Sequence, residues 1–226
     1  MIVAEQKPFE ELKATLAEYK KILIVGCGTC VAVCMAGGEK EVEILASMLK
    51  MGLTLDDKGS EIDIVTLQRQ CDVEFYEPLD TKLKEKDYDV ILSTACGAGV
   101  QFLAGKYDNK IVFPALNTRF IGVTEQPGIW GERCSACGNC ILGETGGVCP
   151  ITICAKGLVN GPCGGTNKGK CEVSNEKDCA WTLIYRRLEK LGKLDNIKEI
   201  FPPKKFSLQT KPAKVVHEAY QQLDKK

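Results

Sequence analysis

"KILIVGCGTCVAVC", Lys21–Cys34, begins as an apolar strand-like run and breaks at once into glycine and cysteine. A short continuous run of this kind, bounded by turn residues, is the pattern of a strand buried on both faces. Similar runs recur downstream. "EIDIVTL" (61–67), "DVILSTA" (89–95) and "KIVFPAL" (110–116) read as strands, and helical patterns fill the intervals. These are "EKEVEILASMLKMG" (39–52), stopped by Gly52, then "PLDTKLKEK" (78–86) and "GAGVQFLAGKY" (97–107). An amphipathic helix with Phe9, Leu12, Leu16 and Tyr19 on one face precedes them, over 8–20. Strands alternating with helices predict βαβ crossovers and a parallel sheet covered on both sides. The fold class expected is therefore α/β: a small Rossmann-like parallel-sheet domain over 1–122.

Beyond it the composition changes. From about residue 123 glycine, cysteine, asparagine and threonine dominate, and the large apolar residues needed for an independent core are few. Periodicity returns at "CAWTLIYRRLEKLG" (179–192), a helix with Trp181, Ile184, Leu188 and Leu191 in register and Gly192 as its stop. Residues 123–200 read as an irregular cysteine-rich cluster-binding domain with a C-terminal helix. Residues 201–226 form an extension, an extended connector followed by a short helix or frayed tail.

The 226 residues carry 30 basic and 30 acidic side chains, so no net field gathers nucleic acid or a membrane surface. Neither is expected as a partner. The N-terminus lacks a signal-peptide pattern, and no apolar run approaches the ~20 residues of a membrane span. A cytoplasmic protein is expected. In that reducing setting its 13 cysteines call for metal or redox chemistry rather than disulfides.

Eight of them crowd into 134–179. Cys134, Cys137 and Cys140 have the C-x2-C-x2-C spacing with which one tight loop offers three thiolates to an iron–sulfur cube. Zinc sites more often use separated C-x2-C pairs. Cys149 precedes Pro150, as the fourth cysteine does in bacterial ferredoxins, though the interval here is longer. With Cys154, Cys163, Cys171 and Cys179 the set suffices for two 4Fe-4S clusters, and the spacing leaves open which four serve which. Zinc knuckles with spare thiols are the alternative, giving a zinc-stabilised scaffold in place of a redox relay.

The first half holds the other five. Cys27, Cys30 and Cys34 follow the first strand, Cys71 the second and Cys96 the third. Ligands of parallel sheets gather outside the carboxyl ends of strands, so these cysteines should converge on one site. A further iron–sulfur cluster is expected there, with zinc or incidental thiols as alternatives and one of the five a spectator. Gly26 and Gly28 begin a dinucleotide fingerprint, but Val31 occupies the place of its third glycine. His217 is the only histidine, which leaves serine or cysteine hydrolase chemistry without a base. No catalytic residue is expected in this chain.

The stretch "CSACGNCILGETGGVCPITICAKGLVNGPCGG", continuing through "GKCEV" to "CAWTLIYRRLEKLGKL", resembles the cysteine-rich C-terminal family associated with methylenetetrahydrofolate reductase. With "VGCGTCVAVC" and the α/β half, the chain is similar to the small iron–sulfur (MetV-type) subunits of that enzyme in acetogenic bacteria and other anaerobes. The resemblance implies an electron-transfer subunit of one-carbon metabolism, bound to a TIM-barrel flavoprotein that holds FMN and the folate. Ferredoxin or another low-potential donor would supply its electrons. The chain itself shows no flavin pocket.

Overall fold

The computed structural model describes residues 1–209 and 211–220 and comprises two compact units, Met1–Gly131 and Glu132–Lys226. In the first, the elements run β1 (Ile2–Gln6), α1 (Phe9–Leu16), β2 (Lys21–Cys27), α2 (Cys30–Val33), α3 (Glu39–Leu55) and β3 (Glu61–Leu67). They continue with α4 (Glu77–Glu85), β4 (Val90–Ser93), α5 (Gly97–Lys106), β5 (Ile111–Pro114), β6 (Leu116–Gln126) and β7 (Ile129–Cys134), whose last three residues belong to the second unit.

β2, β3, β4 and β5 form a parallel sheet in the order β3-β2-β4-β5. The fold is α/β, and the four apolar runs are its strands. Side chains alternate across a strand, so Ile22 and Ile24 enter one apolar cluster while Leu23 and Val25 enter the other. The first cluster takes Leu12 and Leu16 of α1 and Val42, Leu45, Leu49 and Leu53 of α3. The second takes Leu79 of α4, Leu103 of α5 and the buried Tyr76. Both faces of the sheet are thus covered, which explains why its strands are apolar without interruption.

Helix α3 runs three residues beyond Gly52. A Cβ at Gly52 would stand 3.0 Å from Phe9 Cζ and 3.2 Å from Lys13 Cδ. That glycine marks the close approach of α1 to α3, not a stop, and Leu53 behind it is fully buried. A second sheet, antiparallel and ordered β1-β6-β7, goes beyond the elements read from the sequence. Its strand β1 pairs with β6 from Ile2 opposite Ile121 to Gln6 opposite Leu116, through an irregularity at Val3/Ala4.

The second unit has little regular structure: α6 (Pro150–Ile153), the short antiparallel pair β8 (Lys170–Cys171) and β9 (Ser174–Asp178), and α7 (Ala180–Lys190). Trp181, Ile184 and Leu188 of α7 form its buried apolar cluster, with Val148, Cys179 and Ile197 packed on them. Gly192, at φ +64°, ends α7, with the Lys193 N–H returning to the Leu188 carbonyl at 2.9 Å. Phe201 is held by Asn160, which donates to its carbonyl at 3.0 Å and accepts from its N–H at 2.8 Å. Of the expected terminal helix, Glu218–Tyr220 forms one 3₁₀ turn and 221–226 lie outside the described residues. His217 is exposed.

Candidate metal centre

In the first unit the sheet changes direction of travel between β2 and β4, because the chain steps from β2 out to β3 and then back across to β4. The carboxyl ends of those strands form the crevice in which such sheets bind ligands. Cys27 is the last residue of β2, Cys71 follows β3, and Cys96 is the N-cap of α5 directly after β4. Burial raises the pKa of the Cys71 thiol, and the neighbouring thiols of Cys96 and Cys27 raise it further. Tyr76 is likewise pushed up, first by burial and then by Cys71 and Cys27. The thiols of three strand ends therefore share one electrostatic neighbourhood.

A buried polar lattice fixes those ends. The Gln70 amide, with no exposed surface, donates to the carbonyls of Val25 at 2.8 Å and Gly26 at 3.0 Å, and accepts from Ser93 Oγ at 2.7 Å. Tyr76 donates its hydroxyl to the Gln70 carbonyl at 2.6 Å. Thr94 Oγ1 donates to the Gly37 carbonyl at 2.8 Å, and the Cys27 N–H reaches the same carbonyl at 3.0 Å. A Cβ at Gly37 would stand 2.0 Å from the Thr94 carbonyl oxygen, so only glycine lets the loop close on β4.

Cys30 opens α2 and is partly exposed. Cys34, buried like Cys27 in the first apolar cluster, directs its thiol at the carbonyls of Ala4 and Val31, at 3.5 and 3.6 Å, and has the Cys30 thiol as a neighbour. Burial raises its pKa. α2 starts at Cys30 and Cys34 is its C-cap, with the Cys34 N–H returning to the Cys30 carbonyl at 3.3 Å, so the i,i+4 pair closes one helical turn before Met35 reverses the chain at φ +53°.

In the second unit, the loop from Cys134 to Cys140 contains two left-handed residues, Ala136 at φ +50° and Gly138 at φ +78°. Their reversal of the backbone between successive cysteines winds the loop tightly, and it aims the Ala136 N–H at Cys134 Sγ, 3.4 Å away. Leu208 lies over it: a Cβ at Gly138 would be 3.0 Å from Leu208 Cβ. Cys149 and Cys179 are the N-caps of α6 and α7. For Cys179 burial is the largest influence and works upward. The Thr182 N–H, the hydroxyls of Thr182 and Thr166, and the Trp181 N–H outweigh it and bring the thiol below its usual pKa. Such donors favour thiolate over thiol. Cys171 ends β8, Cys154 is the C-cap of α6 and Cys163 lies in a loop.

All thirteen cysteines are free thiols. Among the described residues, no three cysteine, histidine or acidic side chains close into a metal-holding group. The chemistry of the donors nonetheless fits a thiophilic group: sulfur ligands in glycine-rich loops, with amide N–H groups directed at sulfur.

Residues 113–207 match the family model of the methylenetetrahydrofolate reductase C terminal. The matched segment starts in β5, includes all eight cysteines from Cys134 to Cys179 and ends just before Leu208. The reductase C-terminal model thus spans α7 and the loops that carry the thiols, and leaves the parallel sheet outside it apart from β5. No curated protein and no solved structure matches the chain. No helix among the described residues is long and apolar enough to cross a membrane.

Proposed function

We propose that the chain is the iron–sulfur electron-transfer subunit of a methylenetetrahydrofolate reductase. It takes electrons from a low-potential donor such as ferredoxin and passes them to the FMN of a TIM-barrel flavoprotein partner, which reduces methylenetetrahydrofolate to methyltetrahydrofolate. The observation that carries this reading is the Cys134–Cys140 loop, with its C-x2-C-x2-C spacing, two left-handed residues and an amide N–H aimed at sulfur. The reductase family match over the same residues supports it.

When bound, four-iron clusters supply one-electron steps, which a flavin joins to a two-electron reduction. The role of this chain is to hold, insulate and tune. Cys134, Cys137, Cys140, Cys149, Cys154, Cys163, Cys171 and Cys179 are the thiolates for two clusters. The Ala136 N–H and the donors around Cys179 stabilise negative sulfur. In the first unit, Cys27, Cys30, Cys34, Cys71 and Cys96 are the thiols of a further site, one of the five a spectator.

Purification without oxygen, followed by iron, zinc and sulfide analysis and electron paramagnetic resonance after reduction, tests the proposal. Brown protein with acid-labile sulfide and about four irons per cluster is expected. Cys137→Ala should lose about one cluster's iron, because three thiolates hold a cube poorly. Colourless protein with zinc and no sulfide would replace the relay with a scaffold.

A further inference from the structure

Eight thiolates for two cubes can be divided in many ways, and in the bacterial ferredoxin pattern the cysteine before proline serves the other cluster, not that of its own triple. Contacts within the second unit divide them differently. Ser135 Oγ, inside the Cys134–Cys140 loop, lies 2.9 Å from Thr152 Oγ1, and the same Thr152 oxygen accepts from the Cys149 thiol at 3.6 Å. One side chain of α6 therefore bridges the triple to Cys149. Asn139 and Ile141, from the end of the loop, line the same small cavity as Ile151 of α6.

The remaining four cysteines are tied to one another. Cys154 caps the opposite end of α6. The Gly157 N–H returns to its carbonyl at 2.9 Å, and Trp181 Nε1 donates to the Leu158 carbonyl at 2.9 Å, which fixes that turn on the start of α7, beside Cys179. Lys156 pairs with Glu172, the neighbour of Cys171. The Glu172 carboxylate also fills the space that a Cβ would need at Gly165, two residues from Cys163. The Cys179 N–H reaches the Gly169 carbonyl at 2.8 Å, one step beyond the pairing of Lys170 with Asp178, so the β8–β9 ladder extends to Cys179. Thr166, three residues after Cys163, stands with its Oγ1 3.4 Å from that of Thr182 in the first turn of α7.

We infer that Cys149 completes the cluster of Cys134, Cys137 and Cys140, and that Cys154, Cys163, Cys171 and Cys179 hold the other. The division rests on the electron-transfer reading, because it allots the thiolates of that reading's two clusters. Short α6 then stands between them, with one end cysteine given to each.

Iron and sulfide analysis with electron paramagnetic resonance, on the full chain purified without oxygen, tests the division through pairs of cysteines. Cys137→Ala and Cys149→Ala should each lose about four irons, and the double variant no more than either, with the same resonance left in all three. Cys137→Ala combined with Cys163→Ala should lose about eight. The wild type supplies a second reading that asks no variant to fold. After a chelator has stripped part of its iron, alkylation and mass spectrometry of the intact chain should find Cys149 modified in the same molecules as Cys137 and Cys140, and Cys154 in the same molecules as Cys163. A Cys149→Ala protein that keeps both clusters, a Cys137→Ala, Cys149→Ala protein that loses both, or Cys149 modified together with Cys163 would overturn the division and leave the electron-transfer reading standing. Wild-type protein without sulfide would overturn both.

Discussion

Gln70 is one side chain on which two strand ends depend. Its buried amide bridges the Val25 and Gly26 carbonyls near the end of β2 and the Ser93 hydroxyl at the end of β4. Replacing it with leucine keeps the bulk but leaves the Ser93 O–H without its acceptor, though Ser93 Oγ still accepts from the Ala95 N–H at 3.3 Å, and removes charge-neutral bonds from two buried carbonyls. Gln70→Leu should therefore cost about 2–4 kcal/mol, read as a lower urea midpoint for the first unit, with Gln68→Leu at an exposed neighbouring position near wild type. Nothing in "LQRQC" distinguishes Gln70 from a surface glutamine, since its burial exists only once the strands converge. The cysteines were legible where the backbone alone aims them: Cys27, Cys71 and Cys96 follow strands, and strand ends share an edge. The contacts of Cys34 were not, because they depend on the left-handed Met35 and on the Ala4 carbonyl of β1.

The strands of the parallel sheet could be read because burial on both faces demands unbroken apolar runs. The antiparallel sheet could not. In β6 only Leu116 and Gly122 are fully buried and most other residues are exposed, so neither an apolar run nor a clean alternation announces it. Gly52 misled for a related reason: glycine lowers helix propensity whether it ends a helix or admits a neighbour, and only the Phe9 ring shows which. Between elements, β3 is tied to the start of β4 by Asp63, which accepts from Lys86 Nζ at 2.6 Å and Tyr88 OH at 2.9 Å. Lys86 first, against partial burial and with help from Tyr88, holds the Asp63 carboxyl below the usual range. Asp80 is lowered in the same sense, by Tyr107 first and then Lys106 against burial. A carboxyl depressed on folding contributes stability that is complete above its unfolded pKa and disappears as pH falls through the folded value. The first unit should thus hold its urea midpoint down to about pH 4 and lose it below, and Asp63→Asn combined with Asp80→Asn should flatten that acid limb. An identical acid limb in the double variant would show the loss to arise elsewhere.

The two units differ in what can hold them together without metal. The first has two apolar clusters on either side of a four-stranded sheet. The second rests on Trp181, Ile184, Leu188 and the few residues packed on them, and most of its cysteines are in loops with little apolar cover. Ordering a glycine-rich backbone costs about 1–2 kcal/mol per residue, which so small a core cannot offset over the loops from Cys134 to Cys171. Under the proposed cluster ligation, metal–sulfur bonds would supply that free energy, and ligation and folding of this segment would be one equilibrium. Removing metal from the full chain with a chelator under reducing, oxygen-free conditions should therefore act on the units unequally. Amide exchange followed by mass spectrometry should show peptides from 134–179 losing protection, by about 100-fold or more for a linkage of several kcal/mol. Peptides from β2, β4 and α3 should keep theirs, and the Trp181 N–H, bonded to the Leu158 carbonyl at 2.9 Å, should report the loss by fluorescence. Equal protection of 134–179 with and without metal would mean that the small α7 core suffices, and that the thiols there serve chemistry without serving the fold.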